Sequence, residues 1–480
     1  MRAFSCVVAS RAAAARWALL AAALTGGPAG AAPSPGDAAG SFVAYRAARI
    51  VARPGEVFEP GVLVVRGGLV EAVQSAATPV PPGAEVVDLG GAVLLPAFVN
   101  PLSSISERTY REGSGGVTSI ASRDPRDARN FAAASAVRAD EPVWRRLGRS
   151  GYGAMGWLPD SSGFIAGQAA VVRPRTGRDT PQDSLVLKEG AFLLLNFEVG
   201  KRWREVWQGE MKKAADAVVK ERDEKKAAET KAAEPKPEEK KADDAKGEAK
   251  KADEKPAPPK DGEKKDAQPS AARAPAPAPA RPAAPPDPLV RVLRGELMMF
   301  LRIRTPAAFD HYFRIHDALP VKPKLVILTP PQPPEVIDKL ARRGQSIIAV
   351  VLEPRLDAFW ETSVLVNSAA LFSARGIPVA LVPPADSLDG FEGMPYRLGE
   401  MVKAGLSEGE ALAAATVVPA KILGLEGRVG QLVRGATASF NAFDADPLAG
   451  TSRLSRAYVG GVEVYHDDLA TGSVSGEAVR

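Results

Sequence analysis

Few side chains in this 480-residue chain have the types and spacing that chemistry needs. There are three histidines and one cysteine. Those numbers exclude a structural zinc cluster, a disulfide scaffold and any site that needs four histidines. His311 and His316 stand five apart on an expected helix, about 140° round its axis, so they do not face one ligand. His466 sits beside Asp467 and Asp468 near the C-terminus, where a solvated tail or a weak cation site are the two readings. No nucleophile elbow of the G-x-S-x-G type, no phosphate-cradling loop and no paired cysteines occur. The stretches GSGG at 113–116 and DSSG at 160–163 read as loops.

Two groups of charged residues remain. Arg302 and Arg304 flank Ile303 on an expected strand, so both share one face. They form either an anion-binding pair or an internal salt bridge to Asp386 or Glu353. Asp386, Asp389 and Glu392 fall in one Pro/Gly-rich stretch and read as turn residues.

The elements that must position these residues fall into zones. Residues 1–31 have the form of a secretory signal peptide. Arg11 and Arg16 precede the short apolar run WALLAAAL at 17–24, and Ala29-Gly-Ala31 is an A-x-A cleavage site. Cys6 lies before the apolar run and leaves with the peptide, so the mature chain is exported, periplasmic or secreted, without a thiol. The formal charge is +5, and Arg2, Arg11 and Arg16 account for three of it. The remaining charge gives no basic face, so a nucleic-acid partner is not expected. No later stretch has the apolar length of a membrane span.

Residues 42–212 and 287–466 have globular composition. Between them, 213–286 is rich in Lys, Glu and Ala and then in Pro and Ala, ending in runs such as APAPAPA at 274–280. The first part suits a solvated helix held by (i, i+4) charge pairs, the second an extended arm. Trp203, Trp207 and Met211 share a helical stripe that seats the helix leading into the insert.

Short strands with Gly-Gly turns are expected at 47–51, 61–66, 69–73, 85–89 and 92–96, and again at 438–443, 456–459 and 462–465. Between the chain ends, apolar strands at 297–301, 324–328, 347–351 and 379–382 alternate with helices near 306–319, 333–343, 363–374 and 407–415. That alternation predicts an α/β protein with a parallel sheet or barrel.

The segments VLVVRGGLVEAV at 62–73 and EVVDLGGAVLLPAFVN at 85–100 resemble the N-terminal region of the amidohydrolase superfamily, closest to its imidazolonepropionase-like, periplasmic branch. GFIAGQAAVV at 163–172 resembles a segment of that branch. GLSEGEALAAAT at 405–416, PAKILGL at 419–425, GRVG at 427–430 and FDADPL at 443–448 are similar to the family's closing pattern.

The resemblance implies a TIM-type (β/α)8 barrel from 96–212 and 287–416. It also implies a small composite β-sandwich from 42–95 and 417–466, with the insert as a loop out of the barrel. It implies metal-dependent hydrolysis of C–N bonds, with ligands after strands 1, 5, 6 and 8. At those places this sequence has Leu102 and Ser104 for the strand-1 histidines, Arg302 for strand 5 and Leu328 for strand 6. The family's Ala-Asp-Leu near the C-terminus is Ala438-Ser439-Phe440. Asp386 matches the strand-8 acid if two residues are inserted after Leu381; without the gap, Pro384 takes that place. Leucine cannot bind a cation and arginine repels one, so no metal and no other cofactor is expected.

Three readings of function stay open. One is a pseudoenzyme that binds a small anionic ligand or a protein partner. Another is an active hydrolase with an atypical site around Asp386. The third is a structural envelope protein acting through its insert.

Overall fold

The computed structural model describes residues 40–105, 128–159, 163–177, 180–233, 286–359 and 363–467. The expected signal peptide, the GSGG loop, residues 160–162 and most of the insert lie outside the described residues.

Eight strands form one sheet in spatial order: β1 (Phe98–Ser103), β2 (Tyr152–Trp157), β3 (Ile165–Val172), β4 (Val186–Phe197), β5 (Met298–Ile303), β6 (Leu325–Leu328), β7 (Ile347–Leu352) and β8 (Val379–Leu381). Helices follow the same chain order: α1 (Val143–Arg149), α2 (Lys201–Ala233), α3 (Pro288–Arg294), α4 (Pro306–Ala318), α5 (Pro334–Ala341) and α6 (Ser368–Ala374). After β8 come α7 (Leu388–Glu392), α8 (Met394–Lys403), α9 (Glu408–Ala415) and α10 (Val417–Ile422).

The sheet is a nearly closed, mostly parallel barrel, with one departure from the expected (β/α)8 pattern. β3 runs antiparallel to both β2 and β4. The reason is length. Only seven residues, 158–164, separate β2 from β3, and a parallel crossover needs about a dozen or more. From β4 onward every pairing is parallel. Among the described residues no ladder joins β1 to β8.

Two further sheets stand beside it: one of four strands from the N-terminal segment, Phe42–Ala47, Gly61–Arg66, Leu69–Ser75 and Glu85–Asp88, and one of six strands built from both chain ends. Strands Phe440–Phe443, Leu454–Val459 and Val462–His466 share a sheet with Val93–Pro96 and Arg49–Arg53. Their interior is aromatic and aliphatic: Tyr45 packs on Phe440 and Tyr458 with ring centroids 4.9 and 5.1 Å apart. The single strand expected at 47–51 is two strands, Phe42–Ala47 and Arg49–Arg53, in different sheets. His466 is not in a tail. It closes the last strand, with Nδ1 3.2 Å from Glu463. The helix expected at 363–374 starts only at Ser368, because Leu365–Val366 pairs with Asp357–Ala358 and Asn367 caps the helix.

His311 and His316 both lie on α4. His316 is buried; its Nε2 is 3.3 Å from the Pro323 carbonyl and its Nδ1 is 3.4 Å from Asp317. Burial is the main cause holding its pKa below the ordinary histidine value, against the opposing pull of Asp317.

α2 is seated by an aromatic socket. Trp207 is fully buried between Phe164, Phe197 and Tyr312, all edge-on to it at 5.2–5.9 Å. Met211, Ala214, Ala215 and Val218 continue that buried stripe. The solvated run therefore starts later than residue 213: the chain divides into a unit of 1–218 with 287–480, and a second unit of 219–286. In the second unit the described part, up to Ala233, is helical, and Lys220 and Glu224 face each other at 3.9 Å.

The departure and return of the insert meet at one side chain. Arg129 bonds Glu210 on α2 at 2.8 Å and Asp287 at 2.9 Å, and Asp287 caps α3 through Leu289. Val218 lies only about 12 Å along the helix from Glu210. Replacing 219–286 by a Gly/Ser linker of about 20 residues, which spans ~25 Å, is expected to shift the melting temperature by less than about 3 °C. Trp207→Ala is expected to cost about 3–5 kcal/mol. Calorimetry of both variants checks this; collapse of the linker variant would show that the insert belongs to the core.

Candidate functional site

The carboxyl ends of the barrel strands gather the charged residues singled out above. Adjacent-strand register puts Asn196, Arg302, Leu328, Val351 and Ala380 side by side, at one level across β4 to β8. Below that level, Phe192 and Phe300 stack with centroids 3.8 Å apart. Beside them β2 carries Gly156, where a Cβ would collide with the Pro101 carbonyl and press on Leu423 and Phe192. Packed side chains therefore fill the barrel beneath this level.

Asp386 lies in the loop between β8 and α7, at the rim. It takes three hydrogen bonds from the end of β1. The Ser103 hydroxyl donates to Oδ1 at 2.7 Å. The Ser104 main-chain N–H and hydroxyl both donate to Oδ2 at 2.8 Å. These bonds cross the seam between β8 and β1 that no ladder closes. Asp389 and Glu392 are not in that loop. They belong to α7, capped by Ser387, and burial with the Asp389 charge pushes the Glu392 pKa up.

On β5, Arg302 is half-buried and its Nη1 donates to Asn196 Oδ1 at 3.3 Å. The Asn196 amide in turn donates to the Gly163 carbonyl, and its main-chain N–H to Phe164. Desolvation is the main cause lowering the Arg302 pKa, to about 10; Arg304 adds to it and Asp386 opposes it. Arg304 lies beyond the strand end and is exposed. Glu353, one of the two acids considered as a partner for the arginines, faces Arg355 at 3.8 Å instead.

The Leu102 N–H donates to the side-chain Oδ1 of Asn100 at 3.2 Å, and Leu328 is buried. The positions compared with the family's ligands thus hold two aliphatic side chains, a serine engaged with Asp386, and an arginine. That donor set does not fit a divalent cation. Among the described residues, no three of His, Cys, Asp and Glu come together as a metal cluster.

Sequence reasoning missed Ser103 and Asn196. Ser103 looks like a spacer until the rim is assembled. Asn196 has a signal in hindsight: it is the one polar residue in the apolar run from Ala191 to Phe197.

Against solved structures, the chain superposes on an amidohydrolase from Thermotoga maritima MSB8. The TM-score is 0.61 at 20% identity, over 88% of this chain and 100% of that one. The fold is the amidohydrolase fold. Looser matches include E. coli guanine deaminase, with a TM-score of 0.40 at 13% identity over 89% of this chain and 100% of that one. Another is a zinc-bound adenosine deaminase from Xanthomonas campestris, at 0.38 and 12% over 88% and 92%. No protein-family model matches the sequence, and no curated protein matches it. No helix among the described residues is long and apolar enough to cross a membrane.

Asp386→Ala removes a charged acceptor from three donors. A stability loss of about 2 kcal/mol is expected, scaled down for the exposure of the carboxylate, with a smaller loss for Asp386→Asn. Urea unfolding checks it. A loss below about 0.5 kcal/mol would show that the seam closes without this carboxylate.

Proposed function

We propose that this chain is an exported protein of amidohydrolase fold that has given up metal-dependent hydrolysis and binds a ligand at the barrel mouth. The observation that carries the reading is the use of Ser103 and Ser104. Their hydroxyls are spent on Asp386 at the place where the family resemblance expects a metal ligand. Asp386 is thereby an anchor that joins strand ends, and Leu102, Leu328 and Arg302 offer a cation nothing. Positive charge stands there instead, from Arg302 and Arg304. A carboxylate or phosphate is the complementary ligand, held through bidentate guanidinium contacts.

The alternative of an active hydrolase around Asp386 draws less support, since a carboxylate already taking three hydrogen bonds is a poor proton shuttle. Fold likeness alone does not decide between the readings.

Two measurements test the proposal. Mature protein extracted without chelator is expected to hold less than about 0.1 equivalent of zinc, iron or manganese by mass spectrometry, for want of ligands. One or more equivalents in the barrel would overturn it. Calorimetric titration with inorganic phosphate and with acetate is expected to detect binding that Arg302→Ala weakens by about 1.5–3 kcal/mol. Unchanged affinity in the variant would place the anion elsewhere.

A further inference from the structure

Away from the barrel mouth, both ring nitrogens of the buried His316 face oxygens that can only accept. Nε2 is 3.3 Å from the Pro323 carbonyl, in the link between α4 and β6, and that contact is buried. Nδ1 is 3.4 Å from Asp317 Oδ1, on a side that is only partly buried. A neutral imidazole carries one N–H and serves one of the two. An unpaired acceptor costs more where water does not reach it, so the hydrogen belongs on Nε2 and is donated to Pro323. Nδ1 then turns a bare lone pair towards a carboxylate.

The surroundings act on a second proton in both directions. Asp317 attracts it. Arg343, just beyond α5, donates to both oxygens of Asp317 at 2.6 and 2.7 Å and holds that carboxyl below the usual carboxylate range. Burial opposes the proton: the Tyr312 and Phe313 rings lie against the imidazole at 5.8 and 5.9 Å. The Arg343 guanidinium, 4.1 Å over the Phe313 ring, opposes it too. Lys322 and Lys324 flank Pro323, but both are exposed and neither is among the charges that act on the ring. Burial outweighs the attraction of Asp317.

We propose that His316 is a proton-sensitive joint of the barrel. With one hydrogen, on Nε2, it ties the end of α4 to the link that enters β6. Acid adds a second at Nδ1, between the ring and Asp317, and the fold is weaker with that buried charge. The unfolded chain takes this proton more readily than the folded one. Stability is therefore complete above the ordinary histidine range, and it falls as the pH drops below that range until the folded site is protonated as well. β6 carries Leu328, paired in register with Arg302, so the joint lies at the root of a wall strand of the mouth.

The experiment is imidazole NMR of the ¹⁵N-labelled mature full-length protein, which has three histidines to assign. At about pH 8, His316 is expected as the Nε2–H tautomer. Its titration midpoint is expected below that of the same ring in the urea-unfolded chain. Asp317→Asn removes the attraction and is expected to lower the midpoint further, a response that a ring held only by packing would not give. Urea unfolding at about pH 7.5 and about pH 5.5 supplies a second readout. His316→Gln keeps an amide donor for Pro323 and does not titrate. Between the two pH values the wild-type folding constant is expected to fall about twofold or more beyond any fall in the variant. Hydrogen on Nδ1 in the neutral ring, a midpoint at or above the unfolded one, or equal losses in wild type and variant each overturns the proposal. If His316→Gln does not fold, the wild-type tautomer and midpoint decide.

Discussion

One carboxylate closes this barrel at its rim. Seven of the eight strand junctions are hydrogen-bonded ladders, and the eighth, between β8 and β1, has none among the described residues. A barrel with an unpaired seam leaves backbone donors and acceptors at two strand ends without partners. Asp386 answers from the β8 side and takes up the Ser104 N–H and two hydroxyls from the end of β1. The loop that carries Asp386 leads straight into α7, whose Phe391 packs edge-on against Tyr152 of β2. Rim and wall are therefore tied by one short segment. The same residue thus links how the barrel is held together to why its mouth is read as a place of binding.

Beneath the rim, the interior supports the same division of labour. The stacked rings of Phe192 and Phe300 and the tight fit around Gly156 fill the barrel below the level of Arg302. They also supply the dry floor that desolvates its guanidinium. A charge in such surroundings interacts more strongly with an approaching ion than one in open water. Asn196 then matters as a strut: it spans from the Gly163 loop to Arg302 and limits where the guanidinium can swing.

Much of this was legible before any coordinates. The alternation of apolar strands and helices from 297 to 415 predicts the parallel half of the barrel, because buried parallel strands read as unbroken apolar runs. The Gly-Gly turns at both ends predict the small sheets, since a tight reversal needs the left-handed backbone that Gly67, Gly68 and Gly460 adopt. What escaped was set by connection length and by long-range contact. The reversal of β3 follows from a seven-residue link that no strand propensity records. The split at Ala48 divides one apolar run between two sheets. At the site, Arg302 and Asp386 were legible as charges in an apolar setting. Ser103, 283 residues before Asp386 in the chain, was not, because its role exists only once the seam is formed.

The position of the insert has a mechanical side. The chain leaves at the carboxyl end of β4 and returns, through α3, at the amino end of β5, and these two strands are parallel neighbours paired over six residues. Tension on the two roots of the insert therefore draws β4 and β5 past each other, along their length. All hydrogen bonds of that ladder share the load at once, where a peeling force would break them one by one. Before the ladder feels anything, the Arg129 clasp and the Trp207 socket must give way. Asn196, the hydrogen-bond partner of Arg302, stands beside the end of β4 from which the chain leaves, so a load that passes the clasp and the socket falls first on the strut of the candidate site.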